Sequence, residues 1–215
     1  MVETEKYGLL LAMLEPPEEM EEEFNEWYDT EHIPEREAVP GILSAQRSVA
    51  HKGSPRYLAL YDLESIGVLQ SEAYRRIGPG NFSPWTRRIL RNVRIFIRNV
   101  YDQTFPGQAQ ISKDANSLVL WGNDIHVDKE KEFTRWFDTV CTPSLREIDG
   151  FINARRFLCV EGSPNHLTLL EFKDIAIFED EAFKKAILSE QAANMTKYSN
   201  ETMNNLYKRY RKKII

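Results

Sequence analysis

An apolar run, a segment with helical spacing and two strands follow one another early in the chain. The apolar run covers 7–14 and has the length of a strand, while apolar positions in 18–37 repeat with helical periodicity. Acidic residues occupy the first turns of this helix, as the helix dipole favours. Two further strands, at 42–50 and 56–63, are separated by Gly53-Ser54-Pro55, which is typical of a turn. These elements predict a strand, a helix and an antiparallel hairpin.

A second helix and a last strand complete this unit. The helix is predicted around 66–77, and the strand around 92–103, where aliphatic and arginine positions alternate. The same order returns later, with a strand at 117–122, a helix at 175–188 and a weaker last strand near 200–211. The order of elements is therefore βαββαβ, twice, which is the ferredoxin-like arrangement.

The two units also correspond in sequence. Residues 24–74 align without a gap with residues 133–183. Identical pairs include Phe24/Phe133, Trp27/Trp136, Asp29/Asp138, Thr30/Thr139, Pro34/Pro143, Gly41/Gly150, Arg47/Arg156 and the triplet Gly53-Ser54-Pro55 over Gly162-Ser163-Pro164. A repeat of this kind predicts a tandem duplication. We expect a first unit at 1–105, a linker at 106–115 and a second unit at 116–215.

The repeat predicts how the chain packs. A ferredoxin-like sheet carries helices on one face only, so its other face needs a partner, and the second sheet is the obvious one. The predicted fold class is α+β, with two ferredoxin-like repeats whose antiparallel sheets pack into an α+β barrel. This is a geometric expectation that follows from the order of the elements.

Composition limits the classes of function. The 215 residues carry a net charge of −5, whereas an electrostatic nucleic-acid binder would carry a basic field. No apolar run is long enough to cross a bilayer, and the N-terminus lacks the pattern of a secretory signal. The two cysteines, Cys141 and Cys159, form no CxxC motif. We therefore expect a cytoplasmic protein without a nucleic-acid or membrane partner.

One pattern in the first unit resembles a known family. It reads F-x-x-W-Y-x-x-x-H-x-P followed by P-G and a hairpin, on Phe24, Trp27, Tyr28, His32, Pro34, Pro40 and Gly41. This pattern is similar to the EthD-like branch of the dimeric α+β barrel superfamily, and the second unit repeats it in degraded form. The resemblance implies the barrel fold but no single chemistry, because the superfamily includes isomerases, cyclases, cofactor-free monooxygenases, lyases, haem enzymes and proteins without known activity.

The first predicted helix differs between the units where chemistry is expected. On or beside its apolar stripe, the first unit has Tyr28, Glu31, His32 and Glu35. The same positions of the second unit hold Phe137, Val140, Cys141 and Ser144. Burying a carboxylate and an imidazole where valine and cysteine suffice is costly unless they are paired or reach water. One interpretation is a cavity beside this helix; the other is that Glu31 and His32 lie at the exposed edge of the stripe.

The hairpins supply further candidates. Their aliphatic positions repeat between the units and are predicted to pack under the helices, while the mixed positions are predicted to line the space between the sheets. That space would hold Tyr57, Tyr61, Arg155 and His166, a set suited to a small aromatic or carboxylated ligand. The alternative is a filled interior with paired polar groups. Arg47 and Arg156 occur in both units and are expected to pair with Asp29 and Asp138.

The leading functional hypothesis is a cofactor-independent isomerase, cyclase or lyase acting on a small aromatic or lactone-like metabolite. His32 would be the general acid or base, Glu31 would orient it, and Tyr28 would donate a hydrogen bond to an oxyanion. Trp27 and Glu35 are further candidates for substrate binding. No metal-binding, nucleotide-binding or serine-hydrolase motif is present.

Three alternatives remain open. The first is a cofactor-free oxygenase, in which Trp27 and the tyrosines position an electron-rich aromatic substrate. The second is a non-catalytic barrel that binds a small ligand, and the third is a haem protein with His166 as axial ligand. A homodimer is compatible with every reading, because proteins of this shape associate through exposed sheet edges.

Overall fold

The computed structural model describes residues 6–187 and 199–212. Eight strands form the sheet, and every pairing between them is antiparallel. They are β1 (Gly8–Glu15), β2 (Ile42–Lys52), β3 (Tyr57–Leu63), β4 (Ile95–Phe105), β5 (Ser117–Ile125), β6 (Phe151–Glu161), β7 (His166–Phe172) and β8 (Ser199–Arg209).

These strands close into one barrel in the order β1-β3-β2-β8-β5-β7-β6-β4, with β4 returning to β1. Each unit contributes four consecutive strands, which meet the strands of the other unit at β2–β8 and β4–β6. We call these two pairings the seams. The predicted α+β barrel is confirmed, and the two sheets join edge to edge through hydrogen bonds.

Helices precede and follow the hairpin of each unit. In the first unit they are α1 (Glu21–Trp27), α2 (Ile33–Glu37), α3 (Glu72–Arg76) and α4 (Pro84–Asn92); in the second they are α5 (Glu130–Trp136), α6 (Thr142–Arg146) and α7 (Glu181–Ile187). Residue 188, at the end of the predicted second-unit helix, lies outside the described residues. The sequence analysis missed α4, although Ser83 caps it and Pro84 starts it. None of the described helices is long and apolar enough to cross a membrane.

The barrel lumen is filled by aliphatic side chains. Leu58 and Leu60 of β3 and Leu167 and Leu169 of β7 are at most 1% exposed and belong to one buried cluster that also contains Leu9 and Leu11. An eight-stranded barrel has an interior just wide enough for side chains to fill. The sequence analysis placed these leucines under the helices, which is wrong for β3 and β7.

The outer face of β3 carries the aromatic residues instead. Tyr57 and Tyr61 pack with Phe24, Trp27 and Tyr28 of the first unit in a second buried cluster. His166 likewise lies on the outer face of β7, beside the ring of Phe133. The predicted lumen position of Tyr57, Tyr61 and His166 is therefore wrong, because the helices present aromatic rings with which these side chains pack.

Each seam is reinforced by an asparagine and a tyrosine that hold a turn of the other unit. Asn205 donates from Nδ2 to the Ser54 carbonyl oxygen at 2.9 Å, and the Tyr207 hydroxyl donates to the Pro55 carbonyl oxygen at 2.9 Å. At the other seam, Asn99 and Tyr101 both donate to the Ser163 carbonyl oxygen. The last strand of each unit thus fixes the hairpin turn of the other.

Candidate functional site

A cavity of about 130 Å³ lies between the helices of the first unit and the outer face of its sheet. Its walls are mostly apolar or aromatic, and its polar members are two arginines, three tyrosines and one histidine. The lining residues are Leu10, Ala12, Leu14, Trp27, Tyr28, His32, Arg36, Tyr61, Tyr74, Pro79, Phe82, Leu90, Phe96 and Arg98. We call this the His32 cavity. A cavity of about 150 Å³ accommodates benzene, so this one has the size of a single aromatic ring.

A π-helical turn places the polar residues on the cavity side of the helix. Residues Tyr28–His32 form this turn between α1 and α2. One extra residue per turn shifts the phase of everything after it by about 100°. Arg36 thereby joins Trp27 and His32 at the cavity wall, whereas an uninterrupted α-helix would carry Arg36 past the apolar stripe. The second unit has the same turn at Phe137–Cys141, so the turn belongs to the fold and does not itself mark a site.

The imidazole of His32 is enclosed by aromatic rings. Its centroid lies 4.4 Å from that of Trp27 and 5.1 Å from that of Tyr28. The ring keeps some accessible surface because it borders the cavity, but its Nδ1 is buried and has no hydrogen-bond partner among the described residues. Burial, followed by the charges of Arg36 and Arg47, holds the pKa of His32 well below 6.5. His32 is therefore neutral at pH 7, and one of its ring nitrogens can accept a hydrogen bond.

Glu31 has a different set of contacts from the one predicted. Its Oε1 accepts hydrogen bonds from Ser83 Oγ at 2.5 Å and from Thr86 Oγ1 at 3.0 Å, at the start of α4. Thr86 Oγ1 in turn accepts a hydrogen bond from Trp27 Nε1 at 3.0 Å. The predicted Glu31–His32 pair is not formed, because the carboxylate ties α4 and the Trp27 ring to the first helix. Glu31 thus positions a wall of the cavity.

Two tyrosines at the cavity keep their hydroxyl protons. Burial raises the pKa of Tyr28 to about 12, against an opposing effect of Arg47, and burial raises the pKa of Tyr61 well above 10. The Tyr61 hydroxyl is buried beside that of Tyr28, which adds to the rise in the pKa of Tyr61 that burial causes. Both side chains are therefore hydrogen-bond donors at neutral pH.

Arg36 is a cavity residue that the sequence analysis missed. It is 4% exposed, donates from Nη2 to the Ile77 carbonyl oxygen at 3.1 Å, and lies over the Tyr74 ring at 5.0 Å. Its Nη1 is buried with no partner among the described residues. The aligned repeat held a signal for it, because Leu145 of the second unit stands opposite Arg36.

Four predicted site residues lie away from the His32 cavity. The Tyr57 hydroxyl donates to Glu21 Oε1 at 2.5 Å, and His166 Nε2 lies 3.3 Å from Glu130 Oε1 in the second unit. Arg155 is in the lumen as predicted, but it is paired with Asp62 and Glu171, at the end of the barrel that residues 109–112 cover. Glu35 is on the same helix as His32 but does not line the cavity, because the π-helical turn rotates it away. The predicted ligand set of Tyr57, Tyr61, Arg155 and His166 is therefore not assembled.

Pairs formed by the repeated arginines agree with the sequence analysis. Arg47 lies 2.7 Å from Asp29, and Arg156 lies 2.7 Å from Asp138. Both pairs join the hairpin to the first helix of their own unit. Their presence in both units supports the interpretation that they serve the fold.

In the second unit, larger apolar side chains take the place of the cavity. Trp121 on β5 occupies the register position of Ala12 on β1, since Ala12 pairs with Ala59 and Trp121 pairs with Thr168. Its indole packs against the rings of Phe133 and Trp136 at 6.4 Å. The counterpart of Tyr61 is Leu170, and that of Tyr28 is Phe137. The wall that is open in the first unit is filled here by an indole and apolar groups.

The His32 cavity does not fit a haem. The His32 cavity is far below the roughly 300 Å³ at which pockets for drug-sized ligands begin, and the His32 ring is packed against Trp27. His166, the proposed axial ligand, is engaged with Glu130 and lies outside that cavity. Within the part of the chain that the structure describes, no three metal-ligating side chains form a cluster.

Comparison with solved structures identifies the fold. The chain is similar to an anthrone oxidase-like protein (TM-score 0.65, 13% identity, covering 97% of this chain and 93% of that one). It is also similar to a candidate monooxygenase from Fusobacterium nucleatum (TM-score 0.62, 13% identity, 95% and 92% covered) and to a haem-binding protein from Thermus thermophilus (TM-score 0.59, 12% identity, 96% and 92% covered). No family model and no curated protein matches the sequence.

These similarities support the closed α+β barrel described above. They also correct the leading functional hypothesis. The similar structures carry oxidase, monooxygenase and haem-binding names, which contradict an isomerase, cyclase or lyase and agree better with the oxygenase alternative. Identities of 13% or less establish the fold alone, so the chemistry has to be argued from the cavity.

Proposed function

We propose that this chain is a cofactor-independent oxygenase of a small, electron-rich aromatic compound, which binds in the His32 cavity. The observation that carries the proposal is a ring-sized aromatic cavity bordered by a neutral histidine and by the protonated hydroxyl of Tyr28. An enclosed apolar site strengthens electrostatic interactions and protects a reactive anion from water.

The residues have separate roles in this proposal. Trp27 and the aliphatic wall hold the substrate ring, and His32 accepts the proton of a ring hydroxyl. Tyr28 donates a hydrogen bond to the resulting phenolate oxygen, because burial keeps its hydroxyl protonated. Glu31 acts only through α4 and the Trp27 indole.

The reaction balances without a further reductant. The phenolate transfers electrons to O₂, and a C–O bond forms at a ring carbon to give a peroxide. The O–O bond then breaks and the same ring carbon loses its hydrogen as a proton. The departing oxygen leaves as water with that proton and the one from His32, and a carbonyl remains. One phenol and one O₂ become one quinone and one water, so the ring is oxidised and the oxygen reduced.

Oxygen consumption tests the proposal directly. The purified protein is given catechol, 2-methoxyphenol, salicylate and 2,3-dihydroxybenzoate in an oxygen electrode, with chelator present and with buffer as the blank. We expect oxygen uptake with at least one compound and a fall of about 10²- to 10⁴-fold in His32→Gln. The matched control is His126→Gln, which changes an exposed histidine and should retain the full rate.

The same experiment distinguishes an oxygenase from a non-catalytic barrel that binds a ligand. If a phenol binds in the cavity but no oxygen is consumed above the blank, the chain is a ligand-binding barrel and the oxygenase proposal fails. Equal rates in the wild type and His32→Gln would remove His32 from the mechanism.

Several features from the sequence analysis remain part of this proposal. They are membership of the EthD-like branch, the origin by tandem duplication with the linker at 106–115, a cytoplasmic location and a homodimer. The correspondence of the π-helical turns and of Gly53-Ser54-Pro55 with Gly162-Ser163-Pro164 supports the duplication.

A further inference from the structure

The buried arginines of this protein differ in whether a carboxylate contacts them. Four are less than a tenth exposed: Arg36, Arg47, Arg155 and Arg156. Three of them contact a carboxylate at 2.7 Å or less: Arg47 contacts Asp29, Arg156 contacts Asp138, and Arg155 contacts Asp62 and Glu171. Among the described residues, Arg36 alone in this group has no ion-pair partner, although burying a charge without a counterion is costly.

The unpaired charge lies at the His32 cavity. Arg36 lines it, and the Arg36 Nη1 and His32 Nδ1 are buried polar atoms without a hydrogen-bond partner among the described residues. The other charged lining residue is Arg98, whose Nη1 contacts Glu161 at 2.7 Å. None of the described lining residues is acidic, so the cavity is positive inside a chain with a net charge of −5.

The fold does not require an arginine at this position. The second unit places Leu145 there, with 0% of its surface exposed, after the same π-helical turn. A leucine therefore satisfies the packing between helix and sheet. The arginine supplies something that packing does not need, which is a positive charge with two free N–H donors on Nη1.

We propose that the ligand of the His32 cavity is a single-ring aromatic carboxylate and that Arg36 is its counterion. The carboxylate accepts hydrogen bonds from the N–H groups of Arg36 Nη1, while the ring lies against Trp27. This inference rests on the proposed function for the identity of the cavity as substrate site, and it narrows the substrate class from phenols in general to those that carry a permanent negative charge.

Calorimetric titration of the full chain tests the charge requirement. The probes are salicylate and salicylamide, which share the ring and the hydroxyl but differ in charge. We expect salicylate to bind about 10- to 100-fold more tightly, as for a hydrogen bond to a charged group. In Arg36→Leu this preference disappears, while the control Arg91→Leu, at an exposed site on α4, keeps it.

A second measurement separates a binding role from a structural one. Because leucine occupies the equivalent site of the second unit, Arg36→Leu should fold with a melting temperature no lower than that of the wild type. Equal affinity for the two probes in the wild type would overturn the proposal, and so would a preference that survives in Arg36→Leu. Preferential binding of salicylate without oxygen uptake by any of the phenols would support this inference while refuting the oxygenase proposal. Oxygen uptake with catechol and no preference for the acid would do the reverse.

Discussion

The two units of the chain have the same helices and strands but different side chains between the first helix and the sheet. In both, a helix with a π-helical turn lies over the outer face of a four-stranded sheet. The first unit has Ala12, His32 and Arg36 at this interface, and the second has Trp121, Cys141 and Leu145. Ala12 on the sheet leaves open the space that Trp121 fills in the second unit. His32 and Arg36 on the helix make that space polar. Comparing the units therefore separates what the fold needs from what a ligand needs.

Filling the cavity should have the largest effect. Ala12→Trp gives the first unit the residue that its counterpart carries, and the indole would occupy the space of a ligand ring. We expect binding of salicylate to fall beyond detection, together with any oxygen consumption, at a stability cost of about 1–3 kcal/mol from overpacking. Calorimetry on the folded variant measures this. Unchanged affinity would show that the ligand binds elsewhere.

The reverse change should affect stability without affecting binding. Trp121→Ala removes an indole packed against Phe133 and Trp136, so the free energy of unfolding should decrease by about 3–5 kcal/mol. Urea unfolding checks this value. Affinity for the probe at the His32 cavity should stay as in the wild type; a loss there would mean that the two interiors are energetically coupled.

A substitution of Glu31 tests whether this residue positions the cavity wall or takes part in proton transfer. In Glu31→Val, which copies Val140, the hydrogen bonds to Ser83 and Thr86 are lost, and we expect a destabilisation of about 1–3 kcal/mol. The melting temperature should fall, and the KM for the phenol substrate should change more than kcat. A fall in kcat with unchanged stability would instead restore the catalytic role predicted from the sequence.

The smallest expected effect is a dependence on pH. The folded-state pKa of His32 lies well below 6.5, so below about pH 6.5 the unfolded chain binds a proton at this residue that the folded chain does not. The stability that His32 contributes is present above that pH and is lost as pH falls towards the folded-state pKa. Comparing urea unfolding at pH 7.5 and 5.5, the wild type should lose more stability than His32→Gln. An equal loss would mean that His32 is not buried in its neutral form.

The sequence predicted the strands, the hairpins and the closed barrel, because period-two patterns, turn residues and the repeat are local or linear signals. It assigned the wrong face to β3, since Leu58/Leu60 and Tyr57/Tyr61 are both apolar pairs and only three-dimensional packing decides which faces the lumen. The signal for α4 was present in Ser83-Pro84 and was overlooked. Without α4, the partners of Glu31 could not be foreseen.

Arg36 was missed for a different reason. A helical wheel assumes a constant 3.6 residues per turn, and the π-helical turn at Tyr28–His32 breaks that assumption just before Arg36. The alignment of the two units needs no such assumption, and it would have paired Arg36 with Leu145. Contrast between repeats is therefore a better guide to this site than helical geometry.

The seams determine how the chain behaves if it is cut. Severing the connection between β4 and β5 would leave two fragments, each a sheet with two unpaired edge strands. These edge strands are β2 and β4 in one fragment and β6 and β8 in the other. Such edges pair readily with any exposed strand, including those of identical fragments. Covalent linkage keeps the cognate edges at a high effective concentration, so it favours this barrel over one assembled from two first units, which would carry the His32 cavity twice.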